Sequence, residues 1–199
     1  KGQRKLQIKK ELRNQIMMIS LPDLADKPIF LTGFMATGKT KVGRVLAEWL
    51  SREFVDTDEL VVEAAGQSIP DIFEQDGEAT FRQLEHEAVI KAAQMANVIV
   101  SLGGGAITQE RNWEVIRATG VCLCFRASID TIFERISRKH DERPLLAGLD
   151  DDGLRDKIEG MLADRETSYG QSDAFVTSTE DRTPEETAEL ALEELKGLF

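Results

Sequence analysis

The chain has 199 residues, of which 41% are hydrophobic and 31% charged, with 15 glycines and 5 prolines. That balance excludes collagen, a coiled coil and low-complexity disorder, and it suits one domain able to bury a sizeable core. A net charge of −11 argues against a nucleic-acid surface, and no apolar run approaches the roughly 18 residues of a membrane span, so neither a nucleic acid nor a membrane is expected as partner.

The charge is unevenly placed. Residues 1–14 hold Lys1, Arg4, Lys5, Lys9, Lys10 and Arg13 against Glu11, a net of +5, which leaves the remainder near −16. This basic, weakly helical stretch ends in Leu21-Pro22-Asp23, and residues 1–27 are read as an extension preceding a domain over 28–199. No apolar segment of signal-peptide type follows the basic residues, so a cytoplasmic protein is expected. Cys122 and Cys124 stand two apart in one apolar run and would share a strand face. They are read as buried small hydrophobes rather than a disulfide, which fits a reducing compartment.

From Pro28 onward, short apolar runs alternate with helical periodicity. Ile29 to Thr32 is a strand stopping at Gly33, and Lys39 to Leu50 is a helix with Val42, Val45, Leu46 and Trp49 on one face. A second strand, Glu53 to Val55, ends at Asp56; helical sequence then runs to about Met95, broken near Gly66 and Gly77. Asn97 to Ser101 is a third strand before a glycine triplet. After a further helix come a strand over Gly120 to Phe125 and a helix carrying Ile129, Ile132, Phe133 and Ile136. Asp141 to Asp152 reads as a polar loop of lid type. Leu154, Ile158 and Leu162 mark another helix, Ala174 to Val176 a last strand, and Thr183-Pro184-Glu185-Glu186 a capping box opening the terminal helix. Five such runs between helices predict a five-stranded parallel sheet flanked by helices.

The sharpest chemical signal is Gly33-Phe34-Met35-Ala36-Thr37-Gly38-Lys39-Thr40, which matches Gly-x4-Gly-Lys-Ser/Thr between a strand and a helix. Backbone N–H groups and the helix N-terminus favour a polyphosphate, Lys39 neutralises its oxygens, and the Thr40 hydroxyl can ligand Mg²⁺. Asp56-Thr57-Asp58 follows the second strand; in extended chain its carboxylates share one side, though a helix N-cap would also use an Asp there. Gly103-Gly104-Gly105 after the third strand either admits a ligand to the backbone or makes a tight turn. All three features fall at the carboxyl ends of strands, where open α/β sheets bind ligands.

Three arginines join the list. Arg165 extends the stripe of Leu154, Ile158 and Leu162, with Tyr169 one turn on, and is either paired internally or reaching for an anion, the second being the reading taken. Arg82 has two readings, an anion ligand or a surface pair with Glu85. Arg143 sits in the lid-type loop before Pro144-Leu145-Leu146. His86 and His140 lack partners at metal spacing and are read as surface residues.

Phosphate loop, Asp56-Thr57-Asp58, Phe81-Arg82-x-x-Glu85, Gly103-Gly104-Gly105, Arg143-Pro144-Leu145-Leu146 and Arg165-x-x-x-Tyr169, in this order, resemble the shikimate kinase family over about residues 28–199. The resemblance implies a P-loop NTPase fold of the nucleoside-monophosphate-kinase type, with a small helical substrate-binding region at about 56–95 and a lid at about 138–152. It implies ATP and Mg²⁺ as cofactors, shikimate as the small-molecule partner, a monomer, and transfer of phosphate to the 3-hydroxyl of shikimate.

By the same resemblance, Ala36, Thr37, Gly38, Lys39, Thr40 and Lys41 would contact ATP, with Thr40 and Asp56 at Mg²⁺ and Ser101 assisting. Asp58 would bind the reacting hydroxyl and act as base; Arg82 and Arg165 would grip the shikimate carboxylate, with Gly103, Gly104 and Gly105 at the ring. Arg143 would descend with the lid and Arg182 would lie beside adenine. Two departures stand out. Ala36 replaces a usual glycine, and one extra residue between Arg135 and Arg143 sets Arg135 behind Arg182 as the adenine arginine. A kinase for another small acid such as gluconate, or a kinase-like ligand-sensing module, are the competing readings.

Overall fold

The computed structural model describes Leu24, residues 26–137 and residues 148–199. Arg143, His140, most of the lid span and the basic stretch before Leu24 lie outside the described residues.

Strands β1 (Ile29–Gly33), β2 (Glu53–Asp56), β3 (Val98–Ser101), β4 (Val121–Arg126) and β5 (Ala174–Thr177) form one parallel sheet in the order β2-β3-β1-β4-β5. Between them run α1 (Lys39–Leu50), α2 (Thr57–Ala65), α3 (Ile69–Gln75), α4 (Gly77–Ala93), a 3₁₀ turn (Ala106–Thr108), α5 (Glu110–Thr119), α6 (Ile129–Ser137) and α7 (Asp151–Tyr169). The terminal helix α8 spans Pro184–Lys196. The expected five-stranded parallel architecture is the one observed.

The period of two along each strand divides the core between the sheet's faces. Phe30, Val98, Val100, Cys122 and Cys124 face one cluster, with Trp113 and Ile116 of α5, Ile132 of α6 and Leu154 and Ile158 of α7. Ile29, Leu31, Ile99, Leu123 and Val176 face the other, with Leu46 of α1 and Leu192 and Leu195 of α8. Both faces are covered, which is why the strands read as continuous apolar runs. The two cysteines are buried, not joined in a disulfide and on one face. Leu24 is fully buried in the second cluster, and the Arg52 guanidinium donates to the Leu24 and Lys27 carbonyls, so the packing takes in part of the stretch before Pro28.

A third, smaller cluster of Val61, Ile72, Phe81 and Ala88 joins α2, α3 and α4 away from the sheet. Phe73 and Phe81 pack with ring centroids 4.7 Å apart. This cluster gives the 57–93 segment a core of its own beside the sheet's carboxyl edge. Helix α7 begins at Asp151, within the span read as loop, because the Asp150 side chain accepts the Gly153 N–H at 2.9 Å and caps it. The expected capping box at Thr183 and Glu186 is present in both directions.

Candidate active site

Three loops meet at the carboxyl edge of β2, β3 and β1, around a cavity of about 600 Å³. Its lining includes Ala36, Lys39 and Thr40 from the phosphate loop, Asp56 and Asp58, Arg82 and Glu85 of α4, Ser101 to Gly105, and Arg165. A volume of this size suits one small ligand beside part of a second.

The phosphate loop is shaped by unusual backbone angles. Gly33 has φ +134°, and a Cβ there would lie 2.2 Å from the Phe125 carbonyl oxygen, so only glycine fits. Gly38 has φ +98° and caps α1 without a side-chain bond, and the first turn of α1 contains no acidic residue. The helix end thus offers its N–H groups and partial positive charge to an anion. Lys39 is buried, and its ammonium donates to the Gly33 and Phe34 carbonyls at 2.7 and 2.9 Å. Those bonds hold the amine over the loop, where a phosphate oxygen could take their place. Lys41 is exposed on α1 and Thr37 is buried, its hydroxyl donating to Phe34 O at 2.7 Å.

Ala36, at the expected glycine position, has φ +62°. Its carbonyl accepts Arg135 Nη1 at 3.0 Å; the same guanidinium donates to Ser178 Oγ at 3.1 Å and Thr179 O at 2.9 Å. Arg135 therefore ties the phosphate loop to the turn after β5, a role that sequence spacing does not reveal. Arg182 is exposed on that turn and donates to Thr177 O at 3.1 Å.

Thr40 Oγ1 lies 3.2 Å from Asp56 Oδ2 and 3.4 Å from Ser101 Oγ, a small group of hard oxygen donors. Asp56 and Asp58 reach the cavity by a different route from the extended geometry expected. Helix α2 begins at Thr57, and Asp56 Oδ1 caps it by accepting the Asp58 N–H at 3.0 Å. The N-cap and the site are thus one arrangement, and helix geometry, not strand alternation, directs Asp58. Buried Thr57 links the two edges: its hydroxyl accepts the Gly103 N–H at 2.9 Å and donates toward Ser101 O at 3.4 Å.

The glycine triplet is not a left-handed turn, because none of Gly103, Gly104 and Gly105 has positive φ. It provides room. A Cβ at Gly103 would sit 2.5 Å from Asp58 Oδ1, and one at Gly105 2.9 Å from Arg82 Nη1. One at Gly104 would contact Gly33 O and Met35 N at 3.5 Å, so the triplet and the phosphate loop lie back to back. Arg165 Nη1 and the Tyr169 hydroxyl both donate to Gly104 O, at 3.1 and 2.8 Å. The cavity thus gathers Asp58, Arg82 and Arg165 around three small residues.

Arg82 pairs with Glu85 at 2.9 Å and Glu78 at 3.0 Å, so the ion pair read from sequence exists, yet it lines the cavity instead of a free helix surface. Glu85 is 1% exposed. Burial pushes its carboxyl above the usual range, against the opposing pull of Arg82, Gln109 and Arg165. Burial would lower the Arg82 pKa, but Glu85 and Glu78 outweigh it and raise it. His86 is not a surface residue. It is half-buried, with Nδ1 2.6 Å from Oδ1 of fully buried Asn112, whose Nδ2 donates to Ala106 O at 2.7 Å.

No helix among the described residues is long and apolar enough to cross a membrane. Comparison with known proteins agrees with the architecture. The family model for shikimate kinase matches residues 35–196. The chain is 42% identical to a shikimate kinase of Thermoanaerobacter pseudethanolicus over 82% of this chain and 92% of the relative. A shikimate kinase structure from Bacteroides thetaiotaomicron superposes with TM-score 0.81 at 34% identity, covering 86% of this chain and 99% of its own. One from Acinetobacter baumannii in complex with shikimate gives 0.79 at 31%, covering 86% and 93%. A gluconokinase from Sinorhizobium meliloti, at 17% identity and TM-score 0.53, shares the fold alone. The chain belongs to the shikimate kinase family.

Proposed function

We propose that the protein transfers the γ-phosphoryl group of ATP to the 3-hydroxyl of shikimate, releasing ADP and 3-phosphoshikimate. The observation that carries this reading is the convergence of Arg82 and Arg165 on the Gly104–Gly105 backbone beside Asp58, with that loop packed against the phosphate loop. Two guanidinium groups suit a planar carboxylate, since each presents fork-like donors. Asp58 faces the same cavity and would accept a hydrogen bond from the reacting hydroxyl.

The hydroxyl oxygen attacks the γ-phosphorus, the bond from that phosphorus to the β,γ-bridging oxygen breaks, and the hydroxyl proton passes to Asp58. Lys39 leaves its loop carbonyls for the phosphate oxygens and stabilises charge there, while the α1 N-terminus and loop N–H groups hold the chain of phosphates. The hydroxyl–carboxylate set of Thr40, Asp56 and Ser101 fits Mg²⁺, which would be held by Thr40 and, through water, Asp56. When bound, that ion neutralises β- and γ-phosphate charge. Arg143 is proposed to join the phosphates with the lid, and Arg182 to lie beside the base.

A coupled ADP-release assay across shikimate, quinate, gluconate and nucleoside monophosphates tests the reading. Release with shikimate is expected. Release with gluconate or a nucleotide, and none with shikimate, would overturn it.

A further inference from the structure

We infer that Arg111 is a positioning residue for the acid end of the site, acting on Arg82 through Gln109 and Glu85. The inference rests on the reading of Arg82 as a carboxylate ligand. Arg111 is the second residue of α5, half-buried, and its guanidinium bonds in three directions. Nη2 donates to the main-chain oxygen of Arg82 at 2.9 Å, Nη1 to Gln83 Oε1 at 3.0 Å, and Nε to Gln109 Oε1 at 2.8 Å.

A guanidinium has donors only, so the Gln109 amide must turn its oxygen to Arg111 and its NH₂ the other way. That NH₂ donates to Glu85 Oε2 at 3.2 Å, and the same oxygen accepts Arg82 Nη1 at 2.9 Å. The chain Arg111, Gln109, Glu85, Arg82 is therefore ordered in one sense. Reversing the amide would set a carbonyl oxygen against the buried Glu85 carboxylate and loosen its hold on Arg82. Gln109 and Arg111 also follow the glycine triplet through only the 3₁₀ turn at Ala106–Thr108, so the same bonds fix the triplet relative to α4.

Steady-state kinetics on the full chain separate this role from simple stapling of α4 to α5. Gln109→Glu can still accept the Arg111 bond but has no donor for Glu85, whereas Arg111→Ala removes the three bonds together. Both are expected to raise the shikimate KM about 5–20-fold, with kcat within about twofold and the ATP KM unchanged. Arg111→Lys should recover thermal stability better than it recovers the shikimate KM, because a point charge cannot serve three fixed directions. If Arg111→Ala does not fold, Gln109→Glu and Arg111→Lys decide the question. A wild-type shikimate KM in Gln109→Glu would overturn the inference, as would a parallel loss of kcat and of both KM values. A wild-type protein that turns over no shikimate would instead overturn the functional reading.

Discussion

Two glycine-rich loops border the same cavity, and they use glycine for different physical reasons. In the phosphate loop, Gly33, Ala36 and Gly38 all have positive φ, so the requirement is on backbone angle. In Gly103-Gly104-Gly105 no φ is positive, and the requirement is on space: a methyl group would meet Asp58, the phosphate-loop backbone or Arg82. In the proposed function the first loop would curl its own N–H groups around an anion, and the second thins itself so that side chains from α2, α4 and α7 could close on a small ligand.

The largest effects should separate the two loops by the charge each presents. Lys39→Met removes the cation over the phosphate loop and should cut kcat by roughly 10²–10⁴, with the shikimate KM little changed. Arg165→Ala, which removes a donor beside the triplet, should chiefly raise the shikimate KM, at a cost of about 2–5 kcal/mol. Both constants measured for both variants check the division. A raised shikimate KM in Lys39→Met, or an unaltered one in Arg165→Ala, would break it.

Next come the glycines themselves. Gly33→Ala puts a Cβ 2.2 Å from the Phe125 carbonyl oxygen at φ +134°, where neither of the paired strands β1 and β4 can yield. It should cost about 3 kcal/mol or more and lower the Tm by roughly 6–12 °C. Gly103→Ala meets only the ends of the Asp58 and Glu85 side chains, at 2.5 and 3.3 Å. Its stability cost should be about 1 kcal/mol, while displacement of Asp58 should lower kcat/KM for shikimate by about 10²-fold. Equal losses of Tm in the two variants would mean that the triplet, too, is held by backbone angle.

Tyr169 offers an optical view of the triplet, because it is the chain's single tyrosine. Its hydroxyl donates to Gly104 O at 2.8 Å, and burial pushes its pKa up to about 12 despite the nearby Arg165. A phenol whose folded pKa is raised stabilises the fold fully below its unfolded value of about 10. That stabilisation, on the order of 3 kcal/mol, is lost as pH rises from about 10 towards 12. Phenolate absorbance should titrate near 12 in the folded protein and near 10 in denaturant. A folded midpoint near 10 would show that the tether between α7 and Gly104 is open.

What the sequence discloses follows from the same division. Strand and helix order was legible because both sheet faces are buried and the periodicities are strong, as in Ile29, Phe30 and Leu31 alternating between two clusters. The phosphate loop was legible because angle-dependent glycines must stand at fixed spacing along one segment. Pairings between distant segments left no such local trace. Arg135 meets Ala36 across 99 positions, and Arg111 meets Arg82 across 29. Thr57 stood within a recognised motif, yet its bond to Gly103 N depends on how β2 and β3 lie together. Glu85 showed as an ion-pair partner and as the end of the Phe81-Arg82-x-x-Glu85 motif, but its burial did not show, since Gln109 and Gly103 come to it from distant sequence. His86 misled for the same reason: its partner, Asn112, is on another helix.

The smallest effect should come from Ala36→Gly, and it tests whether the phosphate loop is governed by angle at all. An alanine at φ +62° is strained by roughly 1–2 kcal/mol relative to a right-handed conformation, and glycine would relieve this. The same change loosens the unfolded chain, which takes back about 0.4–1 kcal/mol. The net should be a stabilisation of about 0–1.6 kcal/mol, a Tm rise of at most about 6 °C. Arg135 and Lys39 still bind the loop carbonyls, so the ATP KM should shift by less than about threefold. Removing Arg135 as well should then raise the ATP KM less than removing it from the parent, because glycine keeps the left-handed angle without strain, whereas alanine released from Arg135 gains by leaving it. A clear fall in Tm for Ala36→Gly would mean that the Ala36 methyl group contributes packing worth more than its strain, and that shape, not angle, decides this position.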